Sequence, residues 1–268
     1  VWNRIRQRLF AGDRARTDQQ TTDTTPQASA SQGDAASEDG ARADAIAREF
    51  EQRKPWVTRF WINGVAYGGA FDAMNDARLE QFRTQFPDVK TILELGALEG
   101  GHSFGLAAAP QITRVVGLEG RASNIERARL VQKLLGLGRV EFHEVNLEQT
   151  DLADWGRFDA VFCSGLLYHL PEPWKLLDLC AKVSPRFFMW THYAAGDGNV
   201  EVNGYRGKWF RESGLGDPLS GMSQESFWPT LPALEQMLRH SGYNEVRIIH
   251  DDAQHPHGPA VTLAATAG

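Results

Sequence analysis

Long apolar runs are missing from this sequence. No stretch approaches the roughly 18 apolar residues that a membrane-spanning helix needs, and no signal-peptide apolar core stands out. Cysteine is scarce: the 268 residues hold two, Cys163 and Cys180, both in apolar segments and without metal-site spacing. That excludes a disulfide scaffold and points to a reducing, cytoplasmic compartment. An excess of positive charge is absent as well. A formal net charge of -6 argues against a nucleic-acid partner gripped by a broad basic face. From Thr17 to Gly40 there is no aromatic residue; Thr, Ser, Gln, Asp, Ala and Gly dominate. Such a stretch buries too little to offset its ordering entropy, so residues 17–42 read as a disordered linker.

The apolar content suffices for one core-forming domain with extensions, since 42% of the residues are hydrophobic. Residues 1–16 carry Trp2, Ile5 and Leu9 at helical spacing, with Arg4, Arg6 and Arg8 between them. This basic amphipathic segment suits weak, peripheral membrane-surface contact or a partner, but its apolar stripe is short and a frayed, solvated terminus is the favoured reading. Residues 43–87 read as a helical cap. A helix over Ala43–Lys54 stops before Pro55, residues 55–69 are rich in aromatics and glycine, and Phe71–Phe86 reads as a second helix.

Residues 91–103 (Thr-Ile-Leu-Glu-Leu-Gly-Ala-Leu-Glu-Gly-Gly-His-Ser) organise the remainder. An apolar strand carrying Glu94 breaks at Gly96, turns through Gly100 and Gly101, and runs into a small-residue helix. This is the first βα unit of a doubly wound sheet, where a glycine turn lets a ligand approach the backbone. It is not a dinucleotide fingerprint, because Leu98 stands where the second glycine belongs. The next strand, from Arg114, ends in Glu119, near the spacing at which an acid accepts hydrogen bonds from ribose hydroxyls. Further strands read over 140–146, 158–164 and 186–193, with a closing pair over 245–250 and 260–266. The insertion 194–229 is long, glycine-rich and aromatic. A loop of that length inside a compact domain is usually functional.

In this order, Glu94-Leu95-Gly96 with Gly100 and Gly101 resembles the first motif of class I S-adenosylmethionine (SAM)-dependent methyltransferases, in the variant lacking the middle glycine. The resemblance covers residues 88–268. It implies a doubly wound, seven-stranded Rossmann-like α/β sheet with a C-terminal antiparallel hairpin, preceded by the helical cap. It also implies SAM as cofactor. Glu94 would face the cationic amino-acid end, Gly96 and Gly100 the turn, and Glu119 the ribose. Asn146 and Leu147 fall at the corner that contacts adenine, although an Asx turn explains Asn146 as well. Ser164 ends the fourth strand at the same ligand edge.

Residues 158–174 also resemble, more narrowly, the family that carboxymethylates the tRNA wobble uridine, through Gly165-Leu-Leu-Tyr-His169 and the Phe227-Trp-Pro-Thr230 step. By that resemblance Tyr168 lies beside the cofactor's methionine end. Ser223 occupies the position where that family holds an extra carboxylate with arginine, which favours SAM over its carboxylated form.

Methyl transfer asks mainly for positioning, and an alcohol acceptor adds the need for a base. His169 follows the fourth strand; His192 ends the fifth and, with Tyr193, opens into the insertion. These three are the candidate catalytic residues. Cys163-Ser164 stands where metal-assisted catechol-type transferases carry an acid, and the DNA-methylation motifs are missing. No metal site is expected, and the His250–His257 cluster reads as turn residues. The expected function is O-methylation of a small-molecule or glycan acceptor, with residues 55–87 and 194–229 as its lid. A tRNA wobble-uridine modification enzyme and a non-catalytic SAM-binding module are the alternatives.

Overall fold

The computed structural model describes residues 32–214 and 216–268, with side chains from residue 40. The segment expected over 1–16 and the linker up to residue 31 lie outside the described residues. Backbone contacts divide the chain after Asp72 into two units.

In the first, helix α1 spans Gln32–Gln52 and so includes residues 32–42, which by composition belong to the linker. Ala41, Ala43, Ala45 and Ala47 are strong helix formers and outweigh Gly40. The expected helical cap is corrected further by a hairpin of β1 (Arg59–Ile62) and β2 (Val65–Gly68). Asn63 and Gly64 turn it with φ of 51° and 79°, the two-residue geometry that matches strand twist. Phe50 stacks on Trp56 at 4.4 Å, and the Trp56 indole N–H donates to the Phe50 carbonyl at 2.7 Å.

The second unit begins with a short 3-10 turn, Ala73–Asn75, and helix α2, Ala77–Gln85. The single helix expected over Phe71–Phe86 is broken because Asp76 is extended (ψ 134°) and its carboxylate accepts from the Arg78 backbone N–H. Such a cap is worth about 1 kcal/mol.

Then come strand β3 (Thr91–Leu95), helix α3 (Gly101–Ala107), β4 (Arg114–Glu119), α4 (Ala122–Leu135), β5 (Val140–Glu144) and β6 (Ala160–Ser164). Helix α5 (Pro173–Val183) and strand β7 (Arg186–His192) come next. Residues 194–229 are not the irregular loop their glycines suggest. Strands β8 (Val200–Val202), β9 (Tyr205–Arg211) and β10 (Glu225–Pro229) form an antiparallel sheet in the order β10-β9-β8. The ladder satisfies backbone groups that a free loop would leave to water, and Tyr205 and Phe227 pack against Trp174 of α5. Helix α6 (Leu231–His240) and the hairpin β11 (Glu245–Asp252) and β12 (Ala260–Thr266) close the chain.

The main sheet has seven strands in the order β11-β12-β7-β6-β3-β4-β5. β3 to β7 pair in parallel, and β12 and β11 add antiparallel. This is the expected doubly wound α/β sheet with its C-terminal hairpin. Leu93, Val161 and Phe187 join Leu177 of α5 and Leu234 of α6 in one core. On other strand positions Phe162 and Phe188 meet Phe82 of α2 edge-on, at 5.6 and 5.7 Å. The chain steps outward from β3 to β5 and then returns to β6 on the other side of β3. Ligands of such sheets bind beyond the carboxyl ends at that reversal. Among the described residues, no helix is long and apolar enough to cross a membrane.

Candidate active site

Beyond β3 the backbone N–H groups of Gly96 and Ala97 both donate to the Leu118 carbonyl, at 2.9 and 3.0 Å, tying the turn to the tip of β4. Gly100 has φ of 82°, and a Cβ there would fall 2.6 Å from Phe142 Cζ, so the position requires glycine. Leu98 takes φ of 49°, a left-handed conformation that costs a non-glycine residue about 1–2 kcal/mol. Its N–H donates to Glu119 Oε2 at 2.9 Å, which helps offset that cost. Glu119 Oε1 accepts from the Arg121 N–H at 3.0 Å and from Asn124 Nδ2 at 3.1 Å.

Glu94 is only 1% exposed, behind the turn. It accepts a hydrogen bond from Ser103 Oγ, and its Oε1 lies 3.9 Å from His102 Nδ1. Burial, helped by the Glu119 charge and opposed by the Ser103 bond, pushes its carboxyl up to about 8. His102 Nε2 meets Asp76 Oδ2 at 3.0 Å. Burial works against ionisation of Asp76, yet the bonds from His102 and Arg78 hold it well below the usual carboxylate range. Arg78 Nε donates to both Asp76 oxygens, and Arg78 Nη1 donates to Ser164 Oγ at 2.9 Å. The guanidinium also lies 4.9 Å from the Trp190 ring centroid. A polar chain therefore runs from Glu94 to the end of β6. Glu94 supports the turn from behind, while Arg78 and Ser164 stand at the strand end.

His192 ends β7 and is 4% exposed. Its Nδ1 lies 2.9 Å from the Gly258 carbonyl and 3.2 Å from that of Pro259. Carbonyls only accept, so Nδ1 carries the proton and Nε2 a lone pair. Burial outweighs these bonds and lowers the imidazole pKa to about 4, so the ring is neutral at physiological pH. It stacks on Trp228, centroids 5.1 Å apart and planes within 7°. Tyr168, Trp190 and His255 surround it at 4.7, 5.0 and 4.9 Å. Trp228 stacks in turn on Phe210 of β9 at 4.8 Å, and Phe210 is 41% exposed.

His169 adjoins Tyr168, ring to ring at 4.1 Å, and its Nδ1 meets Glu212 Oε1 at 3.1 Å. Glu212 also accepts from Ser220 Oγ, the Gly221 N–H and Ser226 Oγ, at 2.8, 2.7 and 2.7 Å. Burial raises this carboxyl, but the hydrogen bonds, His169 foremost, bring it down to about 2. Tyr193 is not part of the group around His192. Its hydroxyl donates to Asp251 Oδ1 at 2.8 Å, and burial with the Asp251 contact pushes it up to about 12. Asn146 Oδ1 accepts from the Glu148 N–H at 3.0 Å, the Asx turn that its sequence position also allows. Leu147 is buried in the core.

Comparison with known proteins identifies the family. A family model described as a methyltransferase domain matches residues 93–185. The crystal structure of the N-terminal domain of EvdMO1 in the presence of SAH and D-fucose is 34% identical, with a TM-score of 0.77. That match covers 84% of this chain and 97% of that domain. The chain belongs to the class I SAM-dependent methyltransferase family.

The methyltransferase spans about half of full EvdMO1, of which the match covers 47% at 32% identity and a TM-score of 0.68, with 84% of this chain aligned. The Ubiquinone biosynthesis O-methyltransferase of Pseudomonas paraeruginosa (strain DSM 24068 / PA7) is 30% identical over 94 residues, 35% of this chain and 39% of that enzyme. SAM is the cofactor of this methyltransferase, and the residues present fit it. A carboxylate offers about four lone-pair sites. Glu119 uses three, for Leu98, Arg121 and Asn124, and would keep one for a ribose hydroxyl. The fixed glycine turn beside it would receive the methionine end. Sequence reasoning passed over Asp76, Arg78 and Glu212. Trp228 stood in the Phe-Trp-Pro-Thr step, but nothing there indicated that it stacks on His192.

Proposed function

We propose that this methyltransferase transfers its methyl group to a hydroxyl of a small, sugar-type acceptor, with His192 as general base. The observation that carries the reading is the fixed tautomer of His192: Nδ1–H is held by Gly258 and Pro259, so a neutral Nε2 is ready to accept a proton. When bound, SAM would supply a methyl activated on its sulfonium, the C–S bond giving way to the new C–O bond. His192 Nε2 takes the hydroxyl proton in that step, a contribution of about 10²–10⁴-fold for a well-placed base. Tyr168, Trp190 and Trp228 form an aromatic wall around it and exclude water. Such walls suit the apolar faces of a sugar ring, whose edges carry hydroxyls. The similar EvdMO1 domain was crystallised in the presence of D-fucose as well as SAH. His169, held by Glu212, is the second group able to orient an acceptor.

The test is incubation with methyl-labelled SAM and a monosaccharide panel that includes D-fucose, reading label in a methyl ether by mass spectrometry. Label in a sugar ether supports the reading. Label that enters only amines, thiols or nucleic acid from a matched panel contradicts it.

A further inference from the structure

Arg121 stands where a cation is of no local use. It is the residue before helix α4, where short polar side chains normally cap and a positive charge opposes the helix dipole. Its side chain makes no cap bond. Its backbone N–H donates to Glu119 Oε1, so it adjoins the carboxylate read above as the ribose ligand.

The guanidinium reaches instead to the segment that follows β9. Arg121 Nη2 donates to the Ser220 carbonyl at 2.8 Å and to the Asp217 carbonyl at 3.1 Å. The two carbonyls belong to one turn, which the Ser220 N–H closes on Asp217 at 3.1 Å. From that turn Ser220 Oγ donates to Glu212 Oε2 at 2.8 Å, and Glu212 meets His169 Nδ1 at 3.1 Å. Two further points seat the same segment beside the cofactor edge. Met222 lies against Gly120, where a Cβ would collide with its sulfur, and Ser223 Oγ donates to Glu148 Oε2 at 2.7 Å. Gly221, between them, gives its N–H to Glu212 at 2.7 Å, and a Cβ there would fall 2.6 Å from the His169 carbonyl. Residues 217–223 therefore bridge the tip of β4 and His169.

The structure assigns Arg121 a positioning role for the acceptor. From beside the cofactor carboxylate it holds the 217–220 turn, and through Ser220 and Glu212 it sets the His169 imidazole. Its place at the end of β4 suggests a cofactor residue; the bonds of its side chain make it an acceptor one. A guanidinium suits this task because its fork can hold two carbonyls at once, whereas an ammonium is a point donor. The assignment rests on the reading of His169 as the group that orients a sugar-type acceptor.

The test compares the wild type with Arg121→Ala, Arg121→Lys, Ser220→Ala and the Arg121→Ala/Ser220→Ala double variant. Initial rates with D-fucose and methyl-labelled SAM give the acceptor KM, and calorimetry gives SAM affinity and confirms folding. In Arg121→Ala the acceptor KM should rise about 10-fold, and by more than SAM affinity falls. Arg121→Lys should recover part of that loss. The double variant should be little worse than the poorer single one, because both substitutions cut the same chain. A loss of SAM affinity as large as the rise in acceptor KM would make Arg121 a cofactor residue and overturn the proposal. Effects that multiply in the double variant would overturn it too. NMR of the His169 imidazole nitrogens needs no acceptor and separates this proposal from the sugar reading. Arg121→Ala should move the Nδ1 signal, and an unmoved signal overturns the link even where D-fucose is methylated. A moved signal in a protein that methylates no sugar leaves the link to His169 standing and removes the sugar reading alone.

Discussion

The Leu98 N–H donates to the Glu119 carboxylate at 2.9 Å, so the left-handed residue of the glycine turn is clamped by the tip of the neighbouring strand. One side chain thus shapes the turn and would hold the ribose beside it. Glu119→Ala removes both functions. SAM affinity should fall about 10- to 100-fold, as expected for losing charged hydrogen bonds. Titration calorimetry measures this. Glu119→Gln, which keeps the volume and one acceptor oxygen, should fall in between. Unchanged affinity in both variants would remove Glu119 from the cofactor site.

Glu94 gives a pH dependence whose sign is fixed by its burial. Its carboxyl titrates at about 8 in the folded chain against an ordinary 4.5. The folded state therefore binds the proton more tightly, and this stabilisation is complete below about 4.5 and lost as pH rises through about 8. Glu94→Gln stays neutral throughout. Its melting temperature relative to the wild type should rise steadily between pH 5 and pH 8.5, as scanning calorimetry would show. A difference that is flat with pH would mean that Glu94 ionises freely.

Glu212 works in the opposite direction. Its folded carboxyl lies at about 2, below the ordinary 4.5, so the stability it adds is present above about 4.5 and lost as pH falls towards 2. Glu212→Gln should lower the melting temperature at pH 7 by several degrees, corresponding to about 1–3 kcal/mol for disturbed buried hydrogen bonds. The gap to the wild type should narrow in acid. Because Glu212 holds His169 Nδ1, the variant should also raise the KM of the acceptor more than that of SAM. A gap that stays constant from pH 7 to pH 3 would contradict the assignment.

The parts of this fold that could be read from sequence are those in which local chemistry and global position agree. β3 and β4 are apolar runs carrying an acid near the ligand end, and the glycine turn between β3 and α3 shows itself directly. Their order in the sheet comes from the doubly wound rule. The rest depended on contacts distant in sequence. The ladder β8–β10 hides among glycines that suggest a loop. The helix expected over 71–86 breaks because Asp76 caps α2 and starts it afresh at Ala77. Glu212 looks like any surface acid until His169, Ser220 and Ser226 close around it. His192 was legible as a strand-end histidine, but its tautomer depends on carbonyls at Gly258 and Pro259, far along the chain. Tyr193 illustrates the reverse. Neighbours on a strand point to opposite faces, and its hydroxyl is committed to Asp251.

Turnover of His192→Gln against the wild type, with D-fucose and saturating SAM from pH 5.5 to pH 8.5, decides whether His192 is the base. Because the His192 pKa is held at about 4, the wild-type kcat should be flat over that range. The variant should lose about 10²–10⁴-fold in kcat with SAM affinity retained. A variant as active as the wild type would show that the proton leaves the acceptor by another route, while a wild-type profile that titrates near 6.5 would show that burial does not lower the His192 pKa.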